Sequence, residues 1–242
     1  MGLSGHPGAA DRAVRTLLDG DQRFLVDERG VWTLADPSAP GAPALRHLRY
    51  AVVDVETTGG LRWRRHGIVE IAIVEIAGGA ISSCWHTLLD PGRPVPPFVT
   101  ELTGITNGMV AGAPSFEHVA AEVSARLEDR VFVAHNVGFD WGFVRSHLQR
   151  TRGWAPDVPR LCTVHLARRL VPRLRHRNLD ALAHHFGIPV HPRHRAFGDA
   201  FATARVLLRL LDEAERAGLA DLEALKAAMG RPRTRPSAAR RS

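Results

Sequence analysis

The stretch "YAVVDVETTGG", residues Tyr50 to Gly60, runs an apolar strand into acid. Ala51, Val52, Val53 and Val55 suit a buried strand, and Asp54 and Glu56 interrupt it near its end. Strand side chains alternate, so acids two residues apart point to the same face. Carboxylates at the end of an apolar strand are costly unless something compensates. Two of them side by side repel unless a cation or protons intervene. Magnesium or manganese is the natural guest, because hard cations prefer oxygen ligands. A solvent-facing acidic strand end followed by a turn would carry the same letters, so the D-x-E alone leaves both readings open.

Outward from this strand lie two more β-rich runs, Ile68–Ile76 and Ile81–Leu89, with the hairpin signal Gly78-Gly79 between them. The first of the two alternates Ile71 and Ile73 against Glu70 and Ala72. "PSFEHVAAEVSARLE" repeats Phe116, Val119, Ala120, Val123 and Leu127 at helical spacing, with Ser115 placed to cap. "VFVAHN" is a short buried strand that feeds the helix "GFDWGFVRSHLQR". "RLCTV" follows as a last strand, then "LDALAHHF", capped by Asn178 and ended by Gly187. "DAFATARVLLRLLDEAERAG" is a long helix. Strands first, then strands mixed with helices, predict an α/β chain with a mixed sheet. Three segments are assigned: an N-terminal extension at 1–46, a main domain at 47–215, and a C-terminal helix with a basic tail at 216–242. Within the extension, Asp11–Leu18 reads as a short helix, Val31–Leu34 as a short strand and "DPSAPGAP" as a linker. The tail from Gly230 has five arginines, two prolines and no acid, a composition expected to stay disordered.

The 242 residues carry a formal charge of +7, and Lys226 is the only lysine. A guanidinium fork suits phosphate. Between Arg145 and Asn178 stand nine arginines and one acid, Asp157, a track for a single strand's backbone or a solvated basic face. Cys84 and Cys162 make no disulfide framework and no metal-ligand spacing. The N-terminus has no apolar core of a signal peptide, and His6 stands where a myristoylation site wants Ser or Thr. The longest apolar run, Ile68–Ile76, is too short to span a bilayer. A cytoplasmic location, with no membrane partner, is the expectation.

Two further stretches bear chemistry. "AHNVGFDWGFV" places His135 and Asn136 at a strand end and Asp140 in the first turn of a helix. "HPRHRAFGDA" places His194 five residues before Asp199. Each has a plain structural explanation, since an acid in a first turn complements the helix dipole. Together, in this order, Asp54, Glu56, Asp140, His194 and Asp199 resemble the DEDD exonuclease superfamily, in its histidine (h) subtype. "VVDVETTG", "IVEIAIVEI", "ELTGIT", "AHNVGFDWGF" and "HRAFGDA" are similar to the proofreading epsilon subunits of bacterial DNA polymerase III. The resemblance spans about residues 48–211 and leaves 1–46 and the tail uncovered.

This resemblance implies a ribonuclease H-like fold with three leading antiparallel strands and flanking helices. It implies a metal-dependent 3′–5′ exonuclease that releases nucleoside 5′-monophosphates from single-stranded or frayed DNA. Asp54, Glu56, Asp140 and Asp199 would hold two divalent ions, Mg2+ or Mn2+, and His194 would take the proton of the attacking water. Imidazole suits that task because its ordinary pKa is near neutrality. Thr57 and Thr58 would contact the terminal nucleotide. Leu102 and Thr103 would press on its base or sugar, with "ELTGIT" across the cleft. His135 and Asn136 would orient Asp140 or touch phosphate. The partners implied are DNA 3′ ends, or RNA, and a DNA polymerase. An exoribonuclease of the same superfamily and a non-catalytic nucleic-acid-binding module stay open beside this reading.

Overall fold

The computed structural model describes residues 24–26, 32–34, 44–60, 65–189 and 194–230. The helix expected at Asp11–Leu18, the linker at 36–43 and the tail beyond 230 lie outside the described residues. The chain divides into two compact units, Met1–Pro43 and Ala44–Ser242. In the first, β1 (Phe24–Val26) and β2 (Trp32–Leu34) pair antiparallel.

The second unit opens with a single 3-10 turn at Leu45–His47. Then follow β3 (Tyr50–Thr57), β4 (Ile68–Ala77), β5 (Ala80–Leu88), α1 (Pro97–Thr103), α2 (Asn107–Val110) and α3 (Phe116–Leu127). They are succeeded by β6 (Val131–Ala134), α4 (Val137–Arg152), β7 (Arg160–Cys162), α5 (Thr163–Leu170), α6 (Leu179–His185), α7 (Ala196–Arg216) and α8 (Leu222–Gly230). The five-stranded sheet has the order β5-β4-β3-β6-β7. β3, β4 and β5 are antiparallel neighbours, whereas β6 runs parallel to β3 and β7 parallel to β6. This is the mixed α/β sheet that the order of runs predicts.

Period two places alternate residues of β3 in two different cores. Tyr50 and Val52 share one with Val74, Ile76 and the Ala200, Ala204 and Leu207 side of α7. Ala51, Val53 and Val55 share the other with Phe116, Val123, Phe143 and Leu148 of α3 and α4. Both faces of β4 are covered, so its alternation does not separate a wet face from a dry one. Glu70 is as buried as its apolar neighbours, at 1% exposure. A sheet sandwiched by helices accounts for the nearly continuous apolar runs in these strands.

Several local signals act as the sequence suggests, and some act differently. The β4–β5 turn uses Gly78 and Gly79 at φ 58° and 74°. Asn178 caps α6 by accepting the Ala181 N–H at 2.9 Å. Ser115 stands at the start of α3, but its hydroxyl pairs with His118 Nδ1 at 2.8 Å instead of capping. "ELTGIT" is not a single loop: its first residues end α1, Gly104 turns the chain at φ 74°, and Thr106 caps α2 through the Met109 N–H. The ends of the unit are tied together. Leu45 is fully buried, and its N–H donates to the Ala220 carbonyl at 3.0 Å. Cys84 and Cys162 are free thiols. Among the described residues, no helix is long and apolar enough to cross a membrane.

Candidate active site

The site forms where β3 ends. Asp54 and Glu56 fall on the Tyr50–Val52 face, the one that α7 packs against. α7 begins at Ala196, so Asp199 lies in its first turn, buried at 7% exposure. One oxygen from each of Asp54, Glu56 and Asp199 lies within 4.8 Å of the other two. Asp199, 143 positions beyond Glu56 in sequence, thus joins its oxygen to those of Asp54 and Glu56.

Asp140 reaches the same strand from the opposite layer. α4 packs Phe143, Val144 and Leu148 into the second core. The β6 ladder matches only Tyr50–Val52 with Val131–Val133. Beyond it, the Val55 N–H donates to Asp140 Oδ1 at 3.1 Å. Asp140 is 3% exposed, and its carboxyl is pushed up to about 8. Burial is the main cause; the Val55 N–H and its own backbone N–H pull it down, and the nearby Glu56 charge pushes it up. A cation would remove the repulsion and the desolvation cost together. The donor set, all carboxylate, fits a hard divalent ion.

His194 stands exposed on the turn into α7 with φ 57°. The next two residues are fastened to β4. Arg195 grips Glu70 with a fork, Nε to Oε2 at 3.0 Å and Nη2 to Oε1 at 2.8 Å. The Ala196 N–H donates to the same carboxylate at 2.9 Å. Glu70 pairs with Glu56 across the β3–β4 ladder, so it sits beside the acids without joining them. Glu70 and Arg195 are functional candidates that the sequence reading passes over. The signal available there is an acid inside an apolar strand run.

The expected substrate contacts divide by orientation. Thr57 and Thr58 are buried: the Thr57 hydroxyl donates to the Gly59 carbonyl at 2.6 Å, and Thr58 Oγ1 accepts the Gly67 N–H at 3.0 Å. Thr103 is also turned inward, donating to the Val99 carbonyl at 2.8 Å and accepting the Ile105 N–H at 3.1 Å. Leu102, by contrast, is 55% exposed, and Phe98, one helical turn before it, is 60% exposed. Phe98 is a second residue that the sequence reading misses; its spacing to Leu102 is the signal. His135 Nδ1 pairs with Thr163 Oγ1 at 2.9 Å, and Asn136 is exposed in the left-handed region at φ 76°. Of the arginines from Arg145 to Arg177, all but Arg177 are exposed.

The model of the exonuclease family RNase_T matches residues 51–207. The DNA polymerase III epsilon subunit of Aquifex aeolicus is 34% identical over 178 residues, spanning 73% of this chain and 88% of that protein. The 3′–5′ exonuclease DinG of Bacillus subtilis is 37% identical over 165 residues, but those cover only 18% of it. A curated relative from Mycobacterium tuberculosis is 38% identical, and the chain spans 30% of its length. Exonuclease X, solved with 5′ overhanging duplex DNA, aligns with a TM-score of 0.55 and 31% identity over 76% of this chain and 99% of that one. Escherichia coli exonuclease I, solved with a dT13 oligonucleotide, shares the fold at a TM-score of 0.61 and 18% identity, over 71% of this chain and 42% of that one.

Proposed function

The chain belongs to the RNase_T exonuclease family, and on that premise we propose that it is a metal-dependent 3′–5′ exonuclease acting on single-stranded or frayed DNA. The observation that carries this reading is the convergence of Asp54, Glu56 and Asp199 within 4.8 Å, with buried Asp140 on the adjoining backbone. Asp54, Glu56 and Asp199 would hold one divalent ion, and Asp140 with Asp54 a second. When bound, Mg2+ or Mn2+ supplies charge neutralisation and Lewis acidity at the scissile phosphate. The remaining work falls to the chain. His194 accepts a proton from the attacking water. The water oxygen bonds to phosphorus, and the bond to the 3′ oxygen of the penultimate nucleotide breaks. That oxygen takes up a solvent proton, and a nucleoside 5′-monophosphate leaves.

Leu102 and Phe98 present apolar surface on α1, whose core contact Val99 packs with Val69, the neighbour of Glu70. Because Glu70 is the register partner of Glu56, we assign Leu102 and Phe98 to the sheet end that bears the acids, where they are suited to stacking on an unpaired terminal base. Thr57, Thr58 and Thr103 hold the turns beneath; their backbone groups, with His135 and Asn136, complete the proposed cleft. The exposed arginines of α4, α5 and the segment after it suit the strand's phosphates. Similarity to polymerase III subunits makes a DNA polymerase the partner to test and the cytoplasm the expected place of action.

The test uses single-stranded DNA and RNA oligonucleotides labelled at either end, with magnesium or manganese and with EDTA. Stepwise release of nucleoside 5′-monophosphates from DNA 3′ ends, abolished by EDTA and by Asp54→Ala, is the expected result. Internal nicks, release from the 5′ end, or metal-independent binding without cleavage would each refute it. Faster RNA cleavage would instead identify an exoribonuclease.

A further inference from the structure

The geometry points to Glu70 and Arg195 as a positioning pair that sets the direction of His194; the assignment rests on the proposed role of His194 as proton acceptor. Glu70 is a carboxylate at 1% exposure, which demands full compensation. All three of its hydrogen bonds given above come from the two residues that directly follow His194. Arg195 has no side-chain contact that caps α7, and the Ala196 N–H, an orphan of the helix start, is satisfied by Glu70 instead. The first turn of α7 is therefore anchored to β4 from outside the helix. The anchor lies in register with Glu56, so it is tied to the same strand pair that carries Asp54 and Glu56.

His194 itself sits in the left-handed region at φ 57°, where a residue with a side chain persists only when its surroundings over-determine it. The fork on Arg195 and the bond to Ala196 supply that determination. They fix the chain one residue beyond the imidazole, and so fix the direction in which the imidazole leaves the backbone. Arginine suits this place better than lysine, because Nε and Nη2 each engage a different carboxylate oxygen. The pair does not touch the reacting atoms in this scheme; it acts through His194.

The test is a double-mutant cycle on the full chain, with steady-state kinetics on a single-stranded oligonucleotide. Arg195→Ala is chosen first, because its side chain is 34% exposed; Glu70→Gln, which leaves no buried charge unpaired, is run beside it and should lower kcat in the same way. The expected result is a fall in kcat of about 10- to 100-fold with KM changed less than about threefold. In a His194→Ala background the same change should cost almost nothing further, because the pair acts through the residue already removed. Arg195→Lys should give an intermediate kcat. A raised KM with unchanged kcat would make Arg195 a substrate contact. Multiplied losses in the double variant, or full activity in Arg195→Lys, would equally overturn the assignment. A readout independent of activity is hydrogen exchange of the Ala196 amide in metal-free protein. It should quicken about tenfold or more in Glu70→Gln and Arg195→Ala, while core amides such as that of Val53 stay protected. An inactive parent would sink the exonuclease reading and with it the role of His194, whereas unchanged Ala196 exchange in an active parent would sink the positioning pair alone.

Discussion

Replacing Asp140 with Asn should stabilise the metal-free protein at high pH while destroying its activity. Asp140 is 3% exposed, and burial pushes its carboxyl from 3.8 up to about 8. In the unfolded chain the carboxyl releases its proton near pH 4. The folded protein therefore holds an extra proton between about pH 4 and about pH 8. Stability must fall as pH rises through that window and stay low above it; below pH 4 both states are protonated and nothing is lost. At about 1.4 kcal/mol per unit, the displacement withholds up to roughly 6 kcal/mol from the ionised, empty site. Asn keeps an oxygen for the Val55 N–H and cannot ionise. Urea unfolding in EDTA, run at pH 4.5, 6.5 and 8.5, measures the effect. The variant's advantage over the parent should be small at the lowest pH and grow to about 3 kcal/mol or more at the highest. An advantage that does not change with pH would mean that Asp140 is ionised in the empty protein, and the account of its burial would be wrong.

His147 offers the opposite slope. Burial lowers its imidazole to about 4, and its Nδ1 lies 2.9 Å from the Phe143 carbonyl, so the neutral ring is the folded form. Its contribution is present above about pH 6.5 and is lost as pH falls towards 4; relative to His147→Gln, the parent should lose up to about 3 kcal/mol over that range in denaturant titrations. Phe98→Ala and Leu102→Ala should each slow release from frayed or mismatched ends by about 3- to 30-fold, on the scale of about 1–2 kcal/mol of stacking per base, with little change in melting temperature; unchanged rates would remove α1 from the substrate path. Gly67→Ala should cost about 2 kcal/mol in urea unfolding, because the new Cβ would stand 2.6 Å from Pro91 Cβ and 2.9 Å from its carbonyl oxygen. A neutral Gly67→Ala would show that the segment around Pro91 yields freely.

Periodicity and the resemblance together supplied much of this protein. The apolar runs Tyr50–Val55 and Ile68–Ile76 specified strands, and the D-x-E spacing put Asp54 and Glu56 on one face, because backbone geometry alone dictates side-chain direction in a strand. Gly78-Gly79 and Asn178 marked a hairpin and a helix start for equally local reasons. What a side chain meets on that face is a different matter. Alternation could not reveal that Glu70 turns into a second covered face, where Arg195, 125 residues on, closes over it. Nor could it show that Thr57, Thr58 and Thr103 spend their hydroxyls on nearby backbone while Leu102 and Phe98 face outward. Asp140 shows the division most clearly. Its place in a first helical turn was readable, but its charge state is set by the second core around it and by a β6 ladder that stops short of Val55. Local direction follows from chain geometry and needs only the sequence. Desolvation and partnership depend on groups far apart in the chain, and only tertiary packing decides which of them come within hydrogen-bonding reach.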